Sequence, residues 1–319
     1  MSILLTGITG FIGSNLARKL VEDGYDVYGM VRHVSRSEVR SLEPYLDKIR
    51  FVEGDITEYH SVRSTLKSIS PQAVIHLAAL TPVRHSFEDP FPYVKANYEG
   101  TMNFAHAVLE ASPQTRIIAA STAEVYGWQT PHSQIPENAK LNPTSPYAVS
   151  KAACDNYLQM AMKVYGLKAT VLRCNNSYGR AGEKGFIVEY LITTMLAAQT
   201  AYVGTPNHVR DYMYVDDHVD AYLRALKHEE AAGEVFNVSP GNPISNIDLA
   251  KKIAQMIQFR GEIVDGSYPP GYPMRPANWD TDYIVLDSSK IRKILGWKPS
   301  VTLDEGLRRV IELWRSKPH

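Results

Sequence analysis

The sequence has few cysteines and no excess of either charge. Only Cys154 and Cys174 occur in 319 residues, which excludes a disulfide framework, and their spacing fits neither a zinc site nor a redox dithiol. Lysine plus arginine and aspartate plus glutamate each number 34, so the formal net charge is zero. A neutral chain offers no global field to nucleic acid or to an anionic membrane. We therefore expect a protein of a reducing compartment without either partner.

Long apolar runs and metal-ligand spacings are absent as well. No apolar stretch approaches the roughly 20 residues of a membrane span, and the N-terminal SILLTG has the pattern of a strand instead of a signal peptide. We therefore expect a cytoplasmic protein. The adjacent Asp216, Asp217 and His218 would point in different directions on a helix, so no metal site is expected. His76 is expected to be a satisfied core histidine.

Strand-like segments alternate with helical patterns through the first half of the chain. The strand patterns are SILLT, DVYGMV, RFVEGD, AVIHLAA and RIIAAS, and ATVLRC follows a long helical stretch. This alternation predicts an α/β fold with a doubly wound parallel sheet and helices on both faces. The regularity fades after ATVLRC, although EVFNVSP reads as a late strand, and the stretch 265–282 reads as a loop.

Three glycines follow the first predicted strand. Gly7, Gly10 and Gly13 stand in TGITGFIG, where a strand meets an amphipathic helix. The first glycine permits the tight turn, the second lets backbone amides approach a pyrophosphate, and the third allows close packing. An ordinary glycine-bearing turn has the same spacing, but the strand-to-helix setting favours a dinucleotide site.

Two residues at later strand ends bear on the cofactor. Arg32 stands where an NAD-selective site usually offers an acidic residue to the adenosine ribose, and an arginine can hold a 2′-phosphate, so NADP is predicted with NAD as the alternative. An exposed cation after a strand is the plainer interpretation. Asp55 follows the third strand and is a candidate for the adenine side, or else a cap for the next helix.

Tyr147 and Lys151 form an i, i+4 pair in the helical segment SPYAVSKAAC. They share one face, and a nearby cation favours tyrosinate, so Lys151 is expected to lower the pKa of Tyr147. The spacing alone is common by chance. Its combination with the glycine loop and with STAEVYG after the fifth strand indicates a catalytic pair.

These motifs make the chain resemble the extended short-chain dehydrogenase/reductases, specifically the nucleotide-sugar epimerases and dehydratases. The resemblance runs nearly end to end and is carried by TGITGFIG, HLAA, STAEVYG, SPYAVSK, VRDYMYVDD and SKIRKILGWKP. It implies a Rossmann-type domain over residues 1–174, to which 208–239 returns, and a smaller, mainly substrate-binding region over 175–319.

The resemblance also implies a cofactor site and an assembly. The cofactor-binding positions are Gly7, Thr9, Gly10, Phe11, Ile12, Gly13, Arg32, Asp55, Ile56, Leu77, Ala78, Ala79, Tyr147 and Lys151. In this family the helices matching residues 93–110 and 147–165 commonly form a four-helix contact, which implies a homodimer or a dimer of dimers. Burial within one chain explains the same apolar pattern.

Carried over from the family, Tyr147 would remove a proton from a sugar hydroxyl, Lys151 would hold the nicotinamide ribose, and Thr122 would hydrogen-bond the same sugar oxygen. Glu124 is the discriminating residue, because a 4,6-dehydratase needs a base for the C5 proton and a 4-epimerase does not. The pattern Thr-x-Glu resembles that of the dehydratases. A solvated glutamate at a strand end is the plainer interpretation.

One departure concerns position 123, where Ala123 replaces the aspartic acid of the deoxythymidine-diphosphoglucose dehydratases. Glu124 would then serve as base and acid, as in the GDP-mannose type, which YGMVRH and HSFEDP also resemble. The alternatives are a UDP-glucose type of 4-epimerase, a 4-keto-sugar reductase, a decarboxylase, and a dinucleotide-binding protein without turnover.

A nucleoside-diphosphate sugar carries about two negative charges, which a neutral protein must meet locally. Arg210, Arg275 and Asn176 match positions where the family holds the substrate diphosphate. Where most relatives have Phe-Asn, this chain has Asn175 before Asn176, so the polar contact to the ligand differs. Either arginine could instead be a partner in a surface ion pair.

Overall fold

The fold is built on strands whose side chains are buried on both faces. The computed structural model describes residues 1–33, 39–272, 276 and 281–317. Its strands are β1 (Ser2–Thr6), β2 (Asp26–Val31), β3 (Ile49–Glu53), β4 (Ala73–His76), β5 (Arg116–Thr122), β6 (Ala169–Cys174), β7 (Asn176–Tyr178), β8 (Ala201–Val203), β9 (Val209–Tyr214), β10 (Val235–Val238), β11 (Pro243–Ser245), β12 (Ile263–Asp265) and β13 (Tyr283–Ile284).

Helices connect these strands. They are α1 (Phe11–Glu22), α2 (Tyr59–Ile69), α3 (Val83–Glu88), α4 (Phe91–Tyr93), α5 (Gly100–Ala111), α6 (Pro146–Tyr165), α7 (Ile187–Leu196), α8 (Val215–Lys227), α9 (Asn246–Ile257), α10 (Ser289–Leu295) and α11 (Leu303–Arg315). Tight 3-10 turns occupy Arg40–Lys48, Ala123–Tyr126 and Glu229–Ala231, and a π turn at Val94–Glu99 joins α4 to α5. No helix among the described residues is long and apolar enough to cross a membrane.

Seven parallel strands form the main sheet in the order β3-β2-β1-β4-β5-β6-β10. The predicted Rossmann-type doubly wound sheet is confirmed. Strand order reverses between β1 and β4, which pair from Ile3 with Ala73 to Thr6 with His76. Ligands of such sheets bind outside the carboxyl ends of the strands at this switch point.

Alternation along β1 explains the two layers of core. Ile3 and Leu5 face a cluster with α1 and α8, whereas Leu4 faces a second cluster with α2, α5 and α6. All three side chains are fully buried, so each face of the sheet is sealed by helices.

Shorter sheets make up the C-terminal region. β9 pairs with β7 and β13 in parallel and with β11 in antiparallel fashion, and β8 pairs with β12. A third apolar cluster lies among α7, α9 and α11, with Leu191, Leu249 and Leu307 fully buried. This region therefore has a core separate from the layers of the main sheet.

The long helix predicted near residues 93–110 is interrupted. The π turn at Val94–Glu99 places the buried Asn97, whose side chain bonds the N–H and C=O of Leu80 at 2.7 and 3.1 Å. Its Nδ2 also donates to Ser150 Oγ at 2.9 Å. Asn97 in the π turn thus joins this helical stretch to α6 and to the segment that follows β4.

Candidate active site

The glycine loop at the end of β1 is closely packed against the backbone. Gly7 has φ +67°, and a Cβ there would lie 2.7 Å from the N atom of Ala78. A Cβ on Gly13 would lie 2.0 Å from the carbonyl oxygen of Gly7. Gly10 begins α1 without a side-chain cap, so amides of the first turn remain available to an anion. The loop therefore fits the pyrophosphate of a dinucleotide, and side chains would fill the cradle.

The segment after β4 forms the other wall of this cradle. The N–H of Ala78 donates to Thr6 Oγ1 at 3.1 Å, and Thr6 also bonds His76 Nδ1 at 2.9 Å. His76 Nε2 lies 3.2 Å from Thr101 Oγ1. Burial lowers the pKa of His76 to about 3. The prediction of a satisfied core histidine is confirmed.

Asp55 and Arg32 lie at the carboxyl ends of neighbouring strands. Asp55 Oδ1 accepts from the N–H and hydroxyl of Thr57 at 2.8 and 2.9 Å. The Thr57 amide contributes most to lowering the pKa of Asp55, and the charge of Arg32 lowers it further. Arg32 is exposed. Glu58 begins α2, so Asp55 shapes the turn before the helix instead of capping it.

Tyr147 and Thr122 meet at the carboxyl end of β5. Ser145 caps α6 by accepting from the N–H of Ala148 at 3.1 Å, which fixes the first turn that carries Tyr147. The Tyr147 side chain is hydrogen-bonded to Thr122, and the charge of Glu124 acts on the phenol. Three of the four predicted catalytic residues therefore lie together.

Burial raises the pKa of the Tyr147 phenol well above its usual range. The largest contribution that lowers it is the hydrogen bond to Thr122, and the Glu124 carboxylate raises it further. The Lys151 ammonium group donates to the carbonyl of Ala120 at 2.6 Å. Burial thus outweighs every group that lowers this pKa, and the expected lowering by Lys151 stays a prediction.

Lys151 is nevertheless buried close to Tyr147 on α6. Its side chain is on the face of α6 that carries Tyr147, and the residue is 5% exposed. Its positive charge lowers the pKa values of His76, Cys154 and Cys174, although burial dominates each of them. The ammonium group therefore contributes positive charge to the buried groups around it.

Sequence reasoning missed a buried polar network beneath these residues. Arg173 makes two 2.8 Å hydrogen bonds to the Asp155 carboxylate, and Ser121 Oγ donates to it at 2.7 Å. Arg173 also donates to the Tyr126 hydroxyl, which in turn donates to Asn237. The available signal was a charged residue within the otherwise apolar β6 pattern, ATVLRC.

Two of the residues predicted to bind the substrate differ in exposure, because Asn176 is exposed and Arg210 is buried. Asn176 is exposed at the start of β7, whereas Asn175 is buried and donates to Ser239 Oγ at 3.1 Å. Arg210 is 6% exposed and donates to the carbonyls of Val209 and Thr281 at 2.9 and 2.7 Å. Arg275 lies outside the described residues.

A second arginine that sequence reasoning missed lies beside the glycine loop. The Arg180 guanidinium lies 4.2 Å from the centre of the Phe11 ring and 3.6 Å from that of Phe186. Phe11 begins α1, and Phe186 precedes α7. Arg180 thus links the predicted cofactor loop to the C-terminal region.

The acidic segment at the start of α8 is used structurally. The Asp217 carboxylate accepts from the N–H and hydroxyl of Ser300 at 2.7 and 2.6 Å. His218 Nδ1 lies 2.6 Å from Ser177 Oγ, and Asp216 pairs with Arg309. Within the described ranges, no three histidine, cysteine or acidic side chains are placed to hold a metal ion.

The known proteins to which the chain is similar include nucleotide-sugar epimerases and dehydratases. A family model described as GDP-mannose 4,6 dehydratase matches residues 4–310. The chain is 33% identical to a UDP-glucose 4-epimerase of Mycolicibacterium smegmatis over 99% of both chains. The structure of a Thermotoga maritima UDP-glucose 4-epimerase with UDP-glucose aligns with a TM-score of 0.87 at 31% identity, covering 99% of both chains.

A solved dehydratase is also similar. The dTDP-glucose 4,6-dehydratase of Streptomyces venezuelae, whose structure contains NAD, aligns with a TM-score of 0.85 at 26% identity and covers 99% of this chain and 98% of its own. Similarity of this kind extends to epimerases and dehydratases alike. The reaction must therefore be argued from the side chains at the end of β5.

Proposed function

Because the chain belongs to the extended short-chain dehydrogenase/reductases of the nucleotide-sugar epimerase and dehydratase family, it is an NAD-dependent type of nucleotide-sugar enzyme, and we propose that it is a 4,6-dehydratase of nucleoside-diphosphate hexoses. One observation carries this proposal: Thr122 Oγ1 accepts from the N–H of Glu124 at 3.3 Å, and both side chains act on the phenol of Tyr147. An acid, an alcohol and a phenol at one site supply the groups that dehydration requires.

The first step oxidises the sugar at C4. A bound nicotinamide supplies a reversible hydride acceptor. Tyr147, in its tyrosinate form, takes the C4 hydroxyl proton, and Thr122 hydrogen-bonds the oxygen that becomes the ketone. Lys151 supplies positive charge within the pocket, which stabilises negative charge on the reacting oxygens. The buried setting strengthens these interactions because little water screens them.

The second step removes water. The C4 ketone acidifies the C5 proton, which Glu124 accepts; the C6 hydroxyl then leaves, takes that proton from Glu124 and departs as water. Hydride would return to C6 from a bound nicotinamide, solvent would supply the proton to C5, and Tyr147 would release the C4 hydroxyl proton to solvent. The balance is the loss of one water to give a 6-deoxy-4-keto sugar. Ala123 has no proton to donate, so Glu124 serves as base and acid, which supports the GDP-mannose type.

A 4-epimerase is the second candidate. The same Ala123 is consistent with an enzyme that expels no water, and similar proteins include named UDP-glucose 4-epimerases. Such an enzyme oxidises C4, turns the keto sugar and returns hydride to the other face. It has no chemical use for Glu124, and this difference separates the two candidates.

We also propose NADP in preference to NAD. Arg32 is exposed at the end of β2, and its charge contributes to the lowered pKa of Asp55, so both groups face one region of the cofactor edge. A guanidinium there suits a 2′-phosphate. The solved dehydratase contains NAD, so this preference rests on Arg32.

For the substrate, we propose that Asn176, Arg210 and Arg275 bind the diphosphate.

For the assembly, we propose a homodimer formed through α4, the adjoining π turn and α6. Large exposed apolar side chains support that surface: Phe91, Val94, Val149, Val164 and Tyr165. Sedimentation of the purified protein tests the assembly, because a monomer at micromolar concentration would contradict it.

Product analysis tests the reaction. Purified protein is incubated with GDP-mannose, dTDP-glucose and UDP-glucose, and the products are identified by mass spectrometry and NMR. A 6-deoxy-4-keto sugar is expected, with GDP-mannose the preferred substrate, and Tyr147→Phe should abolish its formation. Inversion at C4 without loss of water would overturn dehydration in favour of epimerisation.

A further inference from the structure

One buried ion pair lies directly beneath the proposed catalytic residues. Arg173 and Asp155 bind each other through two 2.8 Å contacts, and their side chains are 2% and 0% exposed. Asp155 follows Lys151 by four residues and Tyr147 by eight, so all three lie on one face of α6. The pair therefore joins α6 to β6 at the level of the active site.

Both ends of the segment 122–125 are attached to this pair. Ser121, immediately before the segment, donates its hydroxyl to Asp155 Oδ2 at 2.7 Å. Tyr126, immediately after it, is fully buried and accepts from Arg173 Nη1 at 2.8 Å. No other described contact ties both flanks of the segment to one ion pair.

The chain also turns sharply just past the second attachment. Gly127 has φ +53°, and a Cβ there would lie 1.6 Å from the carbonyl oxygen of Asn142. The 3-10 turn that contains Glu124 is therefore confined between Thr122, which accepts from the N–H of Glu124 at 3.3 Å, and this tight backbone contact. Small shifts at Tyr126 are transmitted to Glu124 because the turn has little freedom.

We propose that the Arg173–Asp155 pair positions the segment 122–125 through two hydrogen bonds, which we call the Ser121 arm and the Tyr126 arm. The arm through Ser121 sets the Thr122 hydroxyl against Tyr147, and the arm through Tyr126 sets the Glu124 carboxylate. This inference rests on the proposed dehydration, because it assigns the arms to different steps. Ser121 serves oxidation at C4, whereas Tyr126 serves proton removal at C5.

Three single-hydroxyl variants test the arms. Ser121→Ala removes one arm, and Tyr126→Phe removes the other together with the hydrogen bond to Asn237. In both variants the bidentate contact of Arg173 with Asp155 is kept, so the fold should persist. Thr170→Val is the matched control: its buried hydroxyl lies on β6 and donates to the carbonyl of Ala231 at 2.6 Å, away from the site. Thermal unfolding of all three variants measures how much stability each lost hydrogen bond contributes. Thr170→Val gives the loss expected when a buried hydrogen bond has only a structural role.

Rapid mixing of enzyme, oxidised cofactor and nucleotide sugar separates the steps. Near-ultraviolet absorbance reports reduction of the nicotinamide, and exchange of the C5 proton with deuterated solvent reports the action of Glu124. Ser121→Ala should slow the rise in absorbance by up to about 10²-fold. Tyr126→Phe should leave the rise unchanged, slow C5 exchange by a similar factor and make the reduced form accumulate. Thr170→Val should change neither rate.

Each other outcome has a definite meaning. If both variants slow both steps equally, or behave as Thr170→Val does, the pair is structural only and the inference is overturned. If the wild type reduces the nicotinamide but exchanges no C5 proton and loses no water, the proposed dehydration fails, and the Tyr126 arm fails with it. The Ser121 arm is still decided in that case, because epimerisation begins with the same oxidation.

Discussion

Two buried arginine–carboxylate pairs, one in each region of the molecule, differ in how fully they are matched. In the main sheet, Arg173 and Asp155 meet through two 2.8 Å hydrogen bonds. In the C-terminal region, Arg180 and Glu189 come only to 3.7 Å. Glu189 Oε2 and Arg180 Nε are buried without a hydrogen-bond partner. The first pair is complete within the chain, whereas the second has unused hydrogen-bonding capacity.

The pKa values of the two arginines reflect this difference in pairing: the pKa of Arg173 is raised and that of Arg180 is lowered. Burial lowers the pKa of Arg173, but the hydrogen bonds and charge of Asp155 outweigh it, so the pKa is raised. Burial also lowers the pKa of Arg180, and there Glu189 does not offset it. The proposed catalytic segment is thus attached to a fully paired arginine, while the C-terminal region meets the glycine loop through a less satisfied contact.

Breaking the complete pair should have the largest effect on stability. Asp155→Asn leaves the buried Arg173 without its counter-charge, and such losses cost about 3–5 kcal/mol. Urea unfolding followed by circular dichroism measures the change. A loss below about 1 kcal/mol would show that the network tolerates an unpaired cation and would remove the contrast between the two regions.

Acid should destabilise the protein through His76 and His218, which are buried. Burial lowers the pKa values of His76 and His218 to about 3 from 6.5. Because the unfolded chain takes up these protons first, stability is full above pH 6.5 and is lost as pH falls from 6.5 toward 3. Each histidine should cost about 1.4 kcal/mol one pH unit below 6.5.

Unfolding free energies between pH 7 and pH 5 check this sign. His218→Gln should make the pH dependence shallower by the contribution of one histidine. A wild-type protein that gains stability in this range would contradict the account of both histidines.

Removing the charge of the incomplete pair, Arg180 and Glu189, should change the unfolding free energy only slightly. Glu189→Gln keeps a carbonyl oxygen for the N–H groups of Gly179 and Arg180, which the Glu189 Oε1 now accepts at 2.9 Å. We expect a loss of about 1 kcal/mol in unfolding free energy. A loss equal to that of Asp155→Asn would mean that the two pairs are equivalent.

The smallest effect concerns the cofactor. Arg32→Ala should weaken NADP binding by about 0.5–1 kcal/mol, because an exposed guanidinium interacts modestly with a phosphate, and should leave NAD binding unchanged. Calorimetric titration with both cofactors measures the difference. Equal affinities for NAD and NADP in the wild type would contradict the assignment of Arg32.

Local patterns predicted much of this arrangement. The glycine loop and α6 follow from nearby residues: Gly7 meets a backbone contact that excludes a side chain, and Ser145 and Pro146 begin α6 at the expected place. The alternation of strand patterns with helical patterns likewise predicted the layers of the main sheet. Such features depend on neighbours within a few positions, so the sequence displays them.

Features made by distant residues could not be foreseen. Arg173 and Asp155 are 18 residues apart and belong to different elements, so no spacing rule joins them. The Lys151 ammonium group donates to the backbone of β5, a contact that its spacing from Tyr147 does not reveal. The raised pKa of Tyr147 depends on burial, which the pattern of α6 alone does not reveal. Tertiary contacts decide these properties.

The central claim is that Glu124 faces C5 of a hexose beside Tyr147. Turnover of the preferred nucleotide sugar in deuterated water, followed by NMR of the product, tests it most directly. The account predicts solvent deuterium at C5 for the wild type and on the order of 10²-fold slower incorporation for Glu124→Gln. Retention of the original C5 proton, with Glu124→Gln as active as the wild type, would contradict it.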